Sequence, residues 1–232
     1  MTCDVLVVAP HPDDAEIACA GAMLLLIAQG KKVAVLDMTR GEMGTRGDAD
    51  TRAKERAAAT KVLGLSERLS GGLPDTMVGD SEEARRALVG VIRKLQPRLL
   101  LAPIAKDPHP DHVATAQLVS STFFLAGLTR LWPDLGPPHR PSLVLRYPLH
   151  EPVEPTICVD ITKVWDKKRE VVACYTSQLK GASNEHFIKK LDIWERIEIR
   201  DRAYGARIGV KVAEPYVAEG AVPLAGLSVL LG

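Results

Sequence analysis

The 232-residue chain carries 30 Lys and Arg against 29 Asp and Glu, a formal charge of +1, so no overall field draws it to nucleic acid or to an anionic membrane. With 46% apolar residues, a chain of this length buries a proper core and fits one domain over residues 1–232. Cys3, Cys19, Cys158 and Cys174 form no C-x-x-C pair and lie mostly in apolar stretches, which reads as reduced, buried thiols.

The N-terminus lacks a basic leader and reaches Asp4 at once, and the longest mostly apolar stretch, Ile17 to Ala28, falls short of the ~18 residues that span a bilayer. A soluble, cytoplasmic protein is expected. Asp4 to Pro10 is a short apolar run of the kind buried on both faces of a parallel sheet, and Ala15 to Gln29 reads as an apolar helix ended by Gly30. A second buried strand follows over Lys32 to Met38. Helices are predicted from about Thr51 to Leu63 and from Ser81 to Leu95, then a strand over Arg98 to Pro103 and a helix from Asp111 into Leu125. This alternation predicts an α/β fold, a doubly wound, Rossmann-like, mostly parallel sheet with helices on both faces.

Gly136 to Pro141 marks a break. Beyond it, Leu143 to Tyr147 and Thr156 to Asp160 look like strands and Val164 to Tyr175 like a helix, which reads as a C-terminal extension of the sheet rather than a new domain. From Asn184 to Gly209 the spacing of Ile188, Leu191, Trp194 and Ile197 predicts an amphipathic helix, and the tail beyond Pro215 is expected to be irregular.

In open α/β sheets the ligand crevice lies outside the carboxyl ends of the strands. The unusual polar clusters fall at such ends: His11 to Glu16, Thr39 to Asp48, and Lys106 to His112. His11 and Asp14 are three apart, and Pro12 suits the first turn of a helix, so an imidazole and a carboxylate can meet on one side. His112 from the other loop would complete a His, Asp, His set suited to Zn²⁺, with another divalent cation such as Fe²⁺ also compatible, and with one position open for water. Spacing alone leaves open whether His109 or His112 is the ligand, and whether the site is closed and structural. Asp13 is placed to act as general base. His109, protonated and held by Asp111, would stabilise an oxyanion or protonate a leaving amine, and Arg52 would orient sugar hydroxyls.

Each feature also has a plainer reading. A single His-Pro-Asp is usually only a capped helix start, but two copies at strand ends, with an extra acid and base at hand, favour a metal site. Gly41 to Gly47 lacks both nucleotide-binding glycine spacings and reads as a flexible active-site loop. Arg52 would by default pair with Glu55 on a solvated helix face, and His139, His150 and His186 read as surface residues.

Ala9-Pro10-His11-Pro12-Asp13-Asp14-Ala15-Glu16 and His109-Pro110-Asp111-His112 closely resemble the marks of the LmbE-like or PIG-L family of zinc deacetylases. Thr39 to Gly47, Tyr175 to Gln178, and Tyr204-Gly205 with Gly209 to Pro215 resemble its bacillithiol-biosynthesis branch. The resemblance implies His11, Asp14 and His112 as metal ligands, Asp13 as base, His109 as the oxyanion or acid residue supported by Asp111, and Arg52 on substrate. It also implies N-acetylglucosaminyl malate as the small-molecule substrate and a homo-oligomer as the assembly. Two departures stand out. Asp107 occupies a place where some mycothiol-pathway relatives carry Tyr, and Leu179 follows Ser177-Gln178 where close relatives often have Phe.

Overall fold

The computed structural model describes residues 2–44, 46–179 and 192–222. Its seven strands are β1 (Val5–Ala9), β2 (Val33–Asp37), β3 (Glu67–Ser70), β4 (Leu99–Pro103), β5 (Leu143–Tyr147), β6 (Ile157–Asp160) and β7 (Ala213–Ala218), in the spatial order β3-β2-β1-β4-β5-β7-β6. The first five run parallel, and β7 is antiparallel to both β5 and β6. The helices are α1 (Asp14–Ala28), α2 (Ala49–Leu63), α3 (Glu82–Leu95), α4 (Pro110–Leu125), α5 (Trp165–Ala173), α6 (Thr176–Leu179) and α7 (Ile193–Arg207).

β1 is buried on both faces because its alternate side chains serve two cores. Leu6 and Val8 pack with Leu88 and Ile92 of α3 and Leu118 and Val119 of α4. Val5, Val7 and Ala9 pack with Ala15, Cys19 and Met23 of α1, and with Leu63 and Val171 from α2 and α5. Helices on both faces of a mostly parallel sheet are the predicted fold. Local chemistry sets the helix ends. Asp48 accepts the Thr51 N–H at 2.7 Å and Ser81 the Ala84 N–H at 3.1 Å, and Gly64 stops α2 at a left-handed φ of 73°.

Four expectations need correction. β3 was not foreseen, because Glu-Arg-Leu-Ser reads as a polar linker. It forms because Arg68 turns inward, with bonds at 2.8 Å to both Asp37 oxygens and a further bond to Glu16. The tail beyond Pro215 begins as strand, since Ala213–Ala218 joins β5 to β6, while residues 223–232 lie outside the described residues. Pro215 is tolerated because it faces only Cys158 of β6, while pairing with β5 begins beyond it at Val217 and Ala218. The helix expected over Val164 to Tyr175 covers only Trp165–Ala173; of the one expected from Asn184, residues 184–191 lie outside the described residues and Ile193–Arg207 is helical behind the Asp192 capping box. Cys3 and Cys19 are buried free thiols, but Cys158 and Cys174 are only half-buried. Among the described residues no helix is long and apolar enough to cross a membrane.

The extension is tied to the main sheet by a fully buried ionic cluster. Lys168 Nζ lies 2.7 Å from both Asp201 and Glu214, and Glu214 accepts the Gly21 and Ala22 N–H groups at 2.7 and 2.8 Å. Gly21 is required there, since a Cβ would come within 2.5 Å of Ile161. Removing one member strands a charge in the interior. Lys168→Met should therefore cost about 3–5 kcal/mol in urea unfolding, and an unchanged midpoint would contradict this role.

Candidate metal centre and active site

The strand order reverses at β1, which has β2 and β3 on one side and β4 and β5 on the other. A crevice opens at such a switch point, beyond the carboxyl ends. There the loops after β1, β2, β3 and β4 enclose a cleft of about 770 Å³.

The cleft floor is the start of α1. The Asp14 carboxylate oxygen Oδ2 lies 3.1 Å from His11 Nδ1 and 3.4 Å from His112 Nε2, and it also accepts the His11 N–H at 3.0 Å. Two donors on one tetrahedral ion, each about 2.1 Å from it, are separated by roughly 3.4 Å. The spacing and the nitrogen and oxygen donors therefore fit a divalent cation. His11, His109 and His112 also bring ring nitrogens within 4.8 Å of one another. Of the two α4 histidines, His112 is the one against Asp14.

The His11 and His112 imidazoles each have a carboxylate against the far nitrogen. His11 Nε2 meets Asp111 Oδ2 at 3.1 Å and Asp75 Oδ1 at 3.2 Å, while His112 Nδ1 meets Asp107 Oδ1 at 2.9 Å. Such partners fix the ring orientation and raise ligand basicity. They also create a standing demand for positive charge. Burial would lower the His11 pKa, yet Asp111, Asp14 and Asp75 push it up to about 12; burial is likewise outweighed at His112, which Asp14 and Asp107 push up to about 9. Asp14 itself is held well below the usual carboxylate range, against burial, by His112 and His11.

Asp13 sits apart from this set on a strained backbone, with φ 111° and ψ −32°, a region that non-glycine residues seldom occupy. Its carboxylate faces Arg52, whose Nη2 and Nη1 lie 3.4 and 3.5 Å from Asp13 oxygens and which also donates to the Pro12 carbonyl. Burial pushes the Asp13 pKa up to about 7; Asp14 adds to this, and Arg52 and His11 oppose it. Arg52 is thus buried rather than solvated. Its expected partner Glu55 is engaged instead by Thr176 and Ser177, at 2.6–3.1 Å.

His109 caps α4, and its Nδ1 accepts the Asp111 backbone N–H at 3.2 Å. The neutral ring then carries its proton on Nε2. Burial, then His112 and His11, push its pKa below the ordinary value. This corrects the expectation of a protonated His109 held by the Asp111 carboxylate. That carboxylate serves His11 and also accepts the Thr76 and Val78 N–H groups at 2.8 and 3.3 Å.

Three participants were missed. Asp75 had no motif around it, and the strand preceding its loop was not recognised. Asp107 stood out only by departure from a Tyr pattern, yet its carboxylate joins His112, the His109 N–H at 2.9 Å and His150 Nδ1 at 3.0 Å. His150 is no simple surface residue, since it stacks 5.2 Å from His112 and lines the cleft. His139 is half-buried, 2.7 Å from the Pro97 carbonyl, and His186 lies outside the described residues. The glycine-rich loop does line the cleft, anchored where Met43 N–H donates to Asp75 at 2.8 Å.

Residues 6–123 match the family described as PIG-L, GlcNAc-PI de-N-acetylase. The chain belongs to this family. It is 31% identical to the diacetylchitobiose deacetylase of Thermococcus kodakarensis, over 90% of this chain and 80% of that one. It is 29% identical to a probable N-acetyl-α-D-glucosaminyl L-malate deacetylase of Bacillus anthracis, over 79% of this chain and 93% of that one. In structure it is similar to the conserved protein TT1542 of Thermus thermophilus, with a TM-score of 0.86 and 36% identity over 97% of this chain and 98% of that one. The PIG-L deacetylases are metal-dependent hydrolases, and the His and Asp group at the cleft floor is in keeping with that. Asp111→Asn removes the charged hold on His11 and should weaken divalent-metal affinity about 10- to 100-fold in a competition titration, whereas unaltered affinity would remove Asp111 from the site.

Proposed function

We propose that the protein hydrolyses the N-acetyl amide of a glucosamine-type sugar with Zn²⁺ held by His11, Asp14 and His112, and that its substrate is N-acetylglucosaminyl malate, released as glucosaminyl malate and acetate. The observation that carries this reading is the placement of Asp14 between the two carboxylate-backed imidazoles, with a second, separately held carboxylate, Asp13, beside them. A closed structural site would have no use for Asp13.

When bound, the metal supplies Lewis-acid polarisation of the amide carbonyl and acidifies the attacking water. Asp13, aimed by Arg52, takes the proton from that water as its oxygen bonds to the acetyl carbon, and returns a proton to the nitrogen as the C–N bond breaks. His109, neutral with Nε2–H directed away from its backbone bond, donates to the developing oxyanion. Asp111, Asp75 and Asp107 act at one remove by orienting His11 and His112. Arg52 is a positioning residue for Asp13 rather than a free hydroxyl donor.

The malate glycoside is favoured by the similarity to the Bacillus anthracis deacetylase, which spans most of both chains. The Thermococcus kodakarensis relative supports a second reading, a chitin-type disaccharide as substrate. Acetate release from N-acetylglucosaminyl malate, diacetylchitobiose and free N-acetylglucosamine separates the two. Preference for the malate glycoside is expected, and a preference for the disaccharide would overturn it. Chelation should abolish release and Zn²⁺ should restore it, while full activity in metal-free protein would end the proposal. Asp13→Ala should keep its metal yet lose about 10²- to 10⁴-fold in kcat. Because the base works as the carboxylate and burial favours its protonated form, wild-type activity should fall towards acid pH, and an acid limb left unchanged in Asp13→Ala would contradict this assignment.

A further inference from the structure

Helix α7 contributes a wall of the cleft, and its 3.6-residue period places Ile193, Arg196, Ile197, Arg200 and Tyr204 along it. Two of its polar groups are already committed. Arg200 donates to Asp201 at 2.8 Å and to the Ile17 carbonyl at 2.7 Å, and the Tyr204 hydroxyl bridges the Val153 N–H and carbonyl, both at 2.8 Å. Arg196 differs. It is half-buried, and among the described residues its guanidinium has neither a hydrogen-bond acceptor nor a carboxylate within ion-pair distance.

The nearby acids are engaged elsewhere. Asp192 and Glu195 cap α7 through each other's backbone N–H groups at 3.0 and 2.7 Å, and Asp107 serves His112 and His150. Burial, and then the neighbouring Arg200 cation, push the Arg196 pKa below the ordinary arginine value, with Asp107 opposing. A half-buried cation beside a second cation, with no anion paired to it among the described residues, carries a desolvation cost. An incoming anion relieves it. The planar fork matches one carboxylate bidentately, and partial desolvation strengthens the bond.

We propose that Arg196 is the anchor for a carboxylate carried by the substituent on the sugar, and so selects acidic acetamido glycosides over neutral ones. This rests on the reading of the cleft as an acetamido-sugar deacetylase site and adds a subsite on α7 to it. Arg196 belongs to α7, which carries none of the proposed ligands, base or oxyanion donor, so it acts through binding and takes no part in proton transfer.

The test uses two substrates that differ only in charge, the carboxymethyl glycoside of N-acetylglucosamine and its carboxamide. The zinc-loaded wild type should prefer the acid about 10- to 100-fold in kcat/KM, as expected for a charge-assisted hydrogen bond. Arg196→Gln should erase that preference, mainly through KM and with the loss concentrated on the acid, and Arg196→Lys should keep part of it. Absence of a preference in the wild type, its survival in Arg196→Gln, or an equal loss on both substrates would overturn the proposal. Should neither glycoside be hydrolysed, the deacetylase reading fails, and calorimetric titration of the zinc-loaded proteins with the same two compounds decides the anchor by itself. Tighter binding of the acid that disappears in Arg196→Gln supports it, and binding indifferent to charge refutes it.

Discussion

The cleft depends on one constraint, that two imidazoles be held at fixed orientation in a ring of carboxylates. Asp14 stands between them, Asp75 and Asp111 back His11, and Asp107 backs His112. Four buried carboxylates so close together cannot coexist without positive charge. In the protein alone that charge is met by protons, which is why both histidine pKa values are driven upward against burial. A divalent cation meets the same demand with one ion while leaving the imidazoles neutral, and coupling of metal to proton release follows directly.

The fold supplies the rigidity this constraint needs. β1 is sealed on both faces, so the turn after it, with its strained Asp13 backbone, is held against relaxing. Arg52 crosses from α2 to the same turn, and the buried Lys168 cluster fixes the extension that carries α7. The mouth is thus built from loops that leave buried strands and whose polar groups are largely paired.

Most of the sheet was legible in the sequence because β1, β2, β4 and β5 are apolar runs, and α2 and α3 begin at ordinary Asp48 and Ser81 caps. β3 and β7 were not, since their sequences are shaped by buried ion pairs and a proline that the pairing pattern accommodates, features that depend on distant partners. The same division holds in the cleft. His11, Asp13, Asp14, Arg52, His109 and His112 line it, and Asp111 contacts His11 beside it. The partners did not follow from spacing. Asp111 turns to His11 because α4 meets the β3 loop there; Asp75 and His150 come from loops with no local signature, and Asp107, though inside the recognised Lys106–His112 cluster, gave no sign of its partners. A residue's type can be read from its neighbours in sequence, but which nitrogen it orients is decided by tertiary contact.

The most direct measurement is anomalous diffraction from a zinc-loaded crystal. A single peak is expected within bonding distance of His11 Nδ1, Asp14 Oδ2 and His112 Nε2, with one further position open toward the cleft and Asp13 outside the coordination sphere. A peak ligated by His109 in place of His112, or closed by a fourth protein ligand, would contradict the division of the two His-Pro-Asp segments into ligands, base and oxyanion donor.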